Sequence, residues 1–174
     1  RGESRQFGHE LVNKSLLLEE VKKYGKAGDA ILWLDADEVL YSSKNELKSL
    51  VADAFDEGYD AIELPHINLW RSNDWFRTDD LYDELRPVRI WKLSDALRFP
   101  HKPGLHQQMH PQGIRAVKRL QSPAVVHFGF ASTGLIIAKH ANYRRHWQSG
   151  YALHRLISER GRRLSHITTR EAVL

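Results

Sequence analysis

The stretch that most constrains this chain is Ile31-Leu32-Trp33-Leu34-Asp35-Ala36-Asp37-Glu38. Four apolar residues run without a polar break, as in a strand buried on both faces, and three carboxylates then arrive within four positions. A central strand that ends in a cluster of acids belongs to an open α/β sheet, where ligands collect outside the carboxyl ends of the strands. If the backbone stays extended through Ala36, Asp35 and Asp37 point to one side. Two oxygen donors so placed suit a hard divalent cation, Mg²⁺ or Mn²⁺, whose remaining positions take the oxygens of a phosphate-bearing substrate.

The chain of 174 residues is long enough for one domain with a core, and 41% hydrophobic with 28% charged residues is an ordinary globular balance. No run of eighteen apolar residues is present, which excludes a spanning helix by composition. The absence of cysteine removes disulfides, thiolate zinc sites and thiol nucleophiles together. Charge is divided unevenly. Residues 1–85 hold 10 Lys and Arg against 19 Asp and Glu, whereas residues 86–174 hold 16 against 3. An acidic half able to hold a cation and a basic half able to face a diphosphate, an acidic acceptor or an anionic membrane follow from that division.

Along the chain, apolar spacing predicts a helix over Glu10 to Tyr24 with Leu17, Val21 and Tyr24 on one face. Ser43 with Glu46 forms a capping box for a second helix that Gly58 closes. Tyr59 to Leu69 reads as a strand with an edge or bulge at Pro65, Val88 to Leu93 as a strand, and Ala124 to Gly129 as a short buried-type strand. Trp70 to Arg77 reads as a loop whose aromatic rings could serve as a sugar platform. The remainder from residue 132 is read as a helical, basic extension, in which Arg155, Arg160, Arg162 and Arg163 could lie on an anionic membrane. No nucleic-acid motif accompanies the charge.

The segment Gly28 to Glu38 resembles the Asp-x-Asp segment of family-two glycosyltransferases of the GT-A fold. Glu84-Leu85-Arg86-Pro87-Val88-Arg89-Ile90-Trp91-Lys92, Gly104-Leu105-His106, and Val125-Val126-His127-Phe128-Gly129 followed by Lys139 and Tyr143 resemble later segments of that family. The resemblance covers roughly residues 3 to 147. It implies an α/β domain over 1–174 with a GT-A-like mixed sheet flanked by helices, lacking the first nucleotide-binding strand that in this family precedes the Asp-x-Asp.

The activity so implied is transfer of a sugar from a nucleotide-diphosphate donor to a hydroxyl of a glycan or lipid-linked acceptor, in the cytoplasm or at its membrane surface. Asp35 and Asp37 would hold Mn²⁺ or Mg²⁺ with His127 as third ligand. Lys139 would stabilise the leaving diphosphate, and Tyr143 and Asn13 occupy positions that the family uses around the donor. An inverting transferase also needs a carboxylate to take the acceptor's proton, and the cluster holding Asp80, Asp83 and Glu84 is the place to look for it. The Glu-Asp pair that many members use as base is absent, and Gln107 stands where a Glu often follows the histidine of the Gly104-Leu105-His106 segment. Two rival readings follow from the same residues: a phosphohydrolase resembling the haloacid dehalogenases, with Asp35 as nucleophile, and a non-catalytic sugar- or nucleotide-binding remnant.

Overall fold

The computed structural model describes residues 10–77, 86–99, 110–146 and 164–166. It is a mixed α/β structure built of two compact units assembled from interleaved segments. Residues 1–33, 44–63 and 87–120 make the first unit, and residues 34–43, 64–86 and 121–174 the second. Among the described residues no helix is long and apolar enough to cross a membrane.

The first unit carries helices α1 (Glu10–Tyr24) and α2 (Lys44–Asp56) and a four-stranded sheet of β1 (Ala30–Leu32), β3 (Ala61–Glu63), β6 (Val88–Lys92) and β7 (Val117–Arg119). The strand order is β1-β6-β3-β7, with β6 antiparallel to both neighbours and β7 parallel to β3. Centrality therefore belongs to β6 and not to the Ile31–Leu34 run. The first four residues of β6 are buried, Arg89 among them, whereas β1 lies at the sheet edge and leaves Ala30 and Leu32 exposed. The unbroken apolar run is explained by Trp33, which continues past the strand and stacks on Trp91 with ring centroids 5.8 Å apart. Leu11, Leu18, Ile31, Val88, Leu93, Leu97 and Phe99 complete that core.

Helix α1 has the expected bounds but a different buried face. Leu11, Lys14 and Leu18 are inside, with Val21 packed against the core, and Leu17 and Tyr24 face solvent. Lys14 can lie in an apolar stripe because its ammonium pairs with Glu10 one turn earlier. Helix α2 ends as its sequence predicts. Gly58 sits at φ +92°, its N–H bonds to the Phe55 carbonyl, and the Tyr59 N–H reaches back to Ala54, the two crossed bonds of a Schellman terminus.

The second unit holds β2 (Glu38–Tyr41), β8 (Ala124–His127) and β4 (His66–Asn68) as a three-stranded sheet in that spatial order, with β2 antiparallel and β4 parallel to β8. Tyr59 to Leu69 is thus two strands and not one. Pro65 interrupts the chain, so that β3 joins one sheet and β4 the other. A separate pair, β5 (Trp75–Arg77) with β9 (Leu164–His166), is antiparallel, which places a strand inside the tail read as helical.

Trp70 is only 1% exposed and packs with Phe130 and Ile136 beneath the Arg77 guanidinium, so its ring is core and no sugar platform; Trp75 remains 42% exposed. Helix α3 (Thr133–His146) begins at Ser132, whose hydroxyl accepts the Leu135 N–H at 3.2 Å while its carbonyl receives the first helical bond from Ile136. Asp80, Asp83, Glu84 and the Gly104-Leu105-His106 segment lie outside the described residues.

Candidate functional site

In the second unit the acidic turn is tight. The Asp35 carbonyl accepts the Glu38 N–H at 3.0 Å, closing a turn over Asp35–Glu38, and the Asp35 N–H in return binds Glu38 Oε2 at 3.1 Å. The backbone does not run extended through Ala36, which removes the geometric reason for the two aspartates to share a side. Asp37 is tied separately to β8 through its carbonyl, which accepts the Phe128 N–H at 2.8 Å.

That tie brings Asp37 to the end of β8. Its Oδ2 lies 3.2 Å from His127 Nε2 and 2.9 Å from Lys139 Nζ, and Lys139 Nζ lies 3.2 Å from His127 Nε2. Three side chains separated by up to 102 positions thus close a triangle. Lys139 arrives there because α3 buries Ile136 against Trp70 and Phe130, and a residue three positions on projects from the same side. The Phe130 ring backs the triangle, edge-on to His127 and with the ammonium 4.6 Å from its centroid.

Gly129 completes the enclosure. A Cβ at this position would run into Lys139 Nζ, His127 Nε2 and Asp37 Oδ2 together, so the backbone itself forms one wall. The Asp37 carboxyl is held well below the usual carboxylate range, first by its hydrogen bond with the His127 ring and then by the Lys139 ammonium, against the opposing effect of burial.

Of the residues expected in the site, Asp37, His127 and Lys139 are brought together. Asp35 is exposed, and Asn13 is exposed on α1 in the first unit. Tyr143 falls on α3 with its side chain outside the described residues. Among the described residues no group of three or more His, Cys, Asp or Glu side chains is placed to hold a metal ion.

The donor set that does converge is one carboxylate and one imidazole, facing each other at 3.2 Å, with a lysine ammonium against both. Mg²⁺ and Mn²⁺ need few protein ligands where waters and substrate phosphates supply the others.

Sequence reasoning missed the residues behind this triangle. Asn68 Oδ1 lies 2.8 Å from His127 Nδ1, Asn68 Nδ2 lies 3.0 Å from His66 Nδ1, and His66 Nε2 lies 2.9 Å from Glu38 Oε1. The available signal was the polar pair His66 and Asn68 spaced two apart around Ile67, which puts them on one face of a short strand. Gly129 carried no signal beyond its place after His127-Phe128. No family model, curated protein or solved structure matches the chain.

Proposed function

We propose that the chain is a metal-dependent glycosyltransferase of GT-A type, which moves a sugar from a nucleotide-diphosphate donor to a hydroxyl of a glycan or lipid-linked acceptor. The observation that carries this reading is the convergence of Asp37, His127 and Lys139, three residues that stand in the segments resembling the family. Asp37 and His127 would hold Mn²⁺ or Mg²⁺, with the remaining positions left to water and diphosphate oxygens. The cation's chemistry there is positive charge set against a departing diphosphate.

Lys139 adds a mobile positive charge beside the same position. Its side chain is long and flexible, so it can leave the Asp37 carboxylate and pair with a phosphate oxygen instead. The acceptor's proton goes to a carboxylate of the Asp80, Asp83 and Glu84 cluster, in keeping with the sequence expectation. Placement is cytoplasmic, with the basic C-terminal stretch available for contact with an anionic surface.

Calorimetric titration of Mn²⁺, with and without UDP, into the wild-type chain, Asp37→Ala and Lys139→Met tests the reading. Wild type is expected to bind Mn²⁺ more tightly with UDP present, and Asp37→Ala to lose binding. Lys139→Met, relieved of a competing cation, should bind Mn²⁺ alone on the order of tenfold more tightly while gaining less from UDP. Absence of Mn²⁺ binding in all three proteins, with and without UDP, would overturn the metal assignment and leave the triangle as an ion-paired binding surface.

A further inference from the structure

The two faces of the four-stranded sheet are covered unequally. Ile31 of β1 and Trp91 of β6 face each other in the register, and both belong to the apolar core of the first unit. Side chains alternate along a strand, so Ala30, Leu32, Ile90 and Lys92 point to the other face, where Ala30 pairs with Lys92 and Leu32 with Ile90. Helix α2 packs against β3 and leaves the β1 side of that face open. Exposure rises from strand to strand accordingly, from 0% at Ile62 in β3 and 1% at Ile90 in β6 to 42% at Leu32 in the edge strand β1.

The same opening is visible from the helix. Leu47, Val51 and Phe55 recur every four residues, a stripe fit for burial, yet Ala54 is the only residue of α2 that is buried. Between the stripe and Ala30, Leu32 and Ile90 of the sheet lies a cleft of about 350 Å³. An apolar cavity of about 150 Å³ takes up benzene, and small-molecule sites begin near about 300 Å³.

Two cations stand at this cleft. Lys48 lines it from the exposed side of α2. Lys92 is half-buried on the same sheet face as Ile90, with its ammonium 4.9 Å from the centroid of the Phe55 ring. Lysines elsewhere in this unit pair with carboxylates, as Lys14 does with Glu10 and Lys118 with Glu57. Lys48 and Lys92 have no carboxylate partner among the described residues.

This combination selects a ligand. A cationic molecule is repelled, and a wholly apolar one leaves both charges unused. A small inorganic anion gains only a solvent-screened attraction. A molecule with an apolar body and an anionic end uses the whole surface, burying the body against Leu32, Val51 and Phe55 and turning the charge to the lysines.

We propose that the cleft between α2 and the β1–β6 edge binds a small amphipathic anion, an aliphatic chain or fused-ring body that ends in a carboxylate. Lys92 takes the anionic end, and Lys48 adds attraction at the rim. The site lies wholly within the first unit and is independent of the reading of Asp37 and His127.

Titration of decanoate into the full chain, followed by ¹H–¹⁵N correlation spectra, tests this. Shifts are expected to be confined to residues 28–32, 47–55 and 90–92, with half-saturation below about 1 mM. Lys92→Met should weaken decanoate binding about fivefold, and Lys92→Arg, which keeps the charge, should restore it. Ala52→Trp, which places a ring in the cleft from an exposed helix position, should abolish binding.

Absence of decanoate shifts at the cleft overturns the proposal. So does unchanged affinity in a Lys92→Met protein whose spectrum is otherwise native, or decyltrimethylammonium bound there as tightly as decanoate, since either result leaves an apolar surface without charge selection. A chain that sediments as a dimer through this cleft, and that decanoate does not dissociate, also overturns it, because the occupant is then a second copy.

Discussion

The two units bury different things. The first encloses an aliphatic and aromatic core around Trp91, Leu11 and Leu18. The second covers a smaller apolar cluster of Trp70, Phe130 and Ile136, and beside it a hydrogen-bonded row of Glu38, His66, Asn68 and His127. Apolar burial stabilises without regard to direction, while a buried polar chain is satisfied by one arrangement of protons and costs free energy in any other. The first unit therefore reads as the source of stability. The second gives up part of that stability to hold particular atoms in particular states.

The sharpest way to break this contrast is to cut each core in turn. Trp91→Ala removes a fully buried ring stacked on Trp33, and chemical denaturation should show a loss of about 3–5 kcal/mol. An effect below about 1 kcal/mol would place the stability elsewhere.

In the second unit, His66→Phe removes the ring partner of the buried Glu38 carboxylate and should cost about 3 kcal/mol, whereas the double variant Glu38→Leu with His66→Phe should recover most of it, since an apolar pair replaces a buried polar one at little net cost. Recovery of stability with loss of Mn²⁺ binding would show the network to be kept for the site. A double variant as unstable as the single would mean that the polar row is structural.

The smallest effect concerns Asp37. Its carboxyl is depressed in the folded state below the ordinary value of 3.8, so its contribution to stability is complete above that value and lost as pH falls through the folded one. The stability difference between wild type and Asp37→Asn should hold steady from about pH 7 to pH 5 and narrow below about pH 4. A difference that grows on acidification would contradict the ion-paired carboxylate. Because Asp37 is partly exposed, the effect is expected to be modest.

Much of the local structure was legible in the sequence. The bounds of α1, the Schellman end of α2 at Gly58, and strands β6 and β8 all follow from spacing and punctuation that act within a few residues. What failed was the assignment of neighbours. An apolar run such as Ile31–Leu34 is compatible with a central strand or with an edge strand followed by a core tryptophan, and only pairing with β6 decides between them. Likewise Leu17 and Leu18 are equally apolar, and the face that α1 buries is set by what it packs against.

The site divides in the same way. Asp37, His127 and Lys139 could be named from a family resemblance, because each stands in a segment that carries its own pattern. Glu38, His66 and Asn68 could not, since their meaning lies in a register that aligns residues 38, 68 and 127 across three strands. Nor could composition show that the backbone turns between Asp35 and Glu38 instead of running extended through Ala36.

The interleaving of the two units bears on how such a site can be handled and inherited. Any uninterrupted piece of chain that contains Asp37, Asn68 and His127 also contains all of residues 44–63 and 87–120, which belong to the first unit. The site cannot be trimmed out as a minimal peptide, nor shuffled between proteins by joining one contiguous exon-like block to another. Change at this position has to come by substitution within a chain whose remaining strands stay in register.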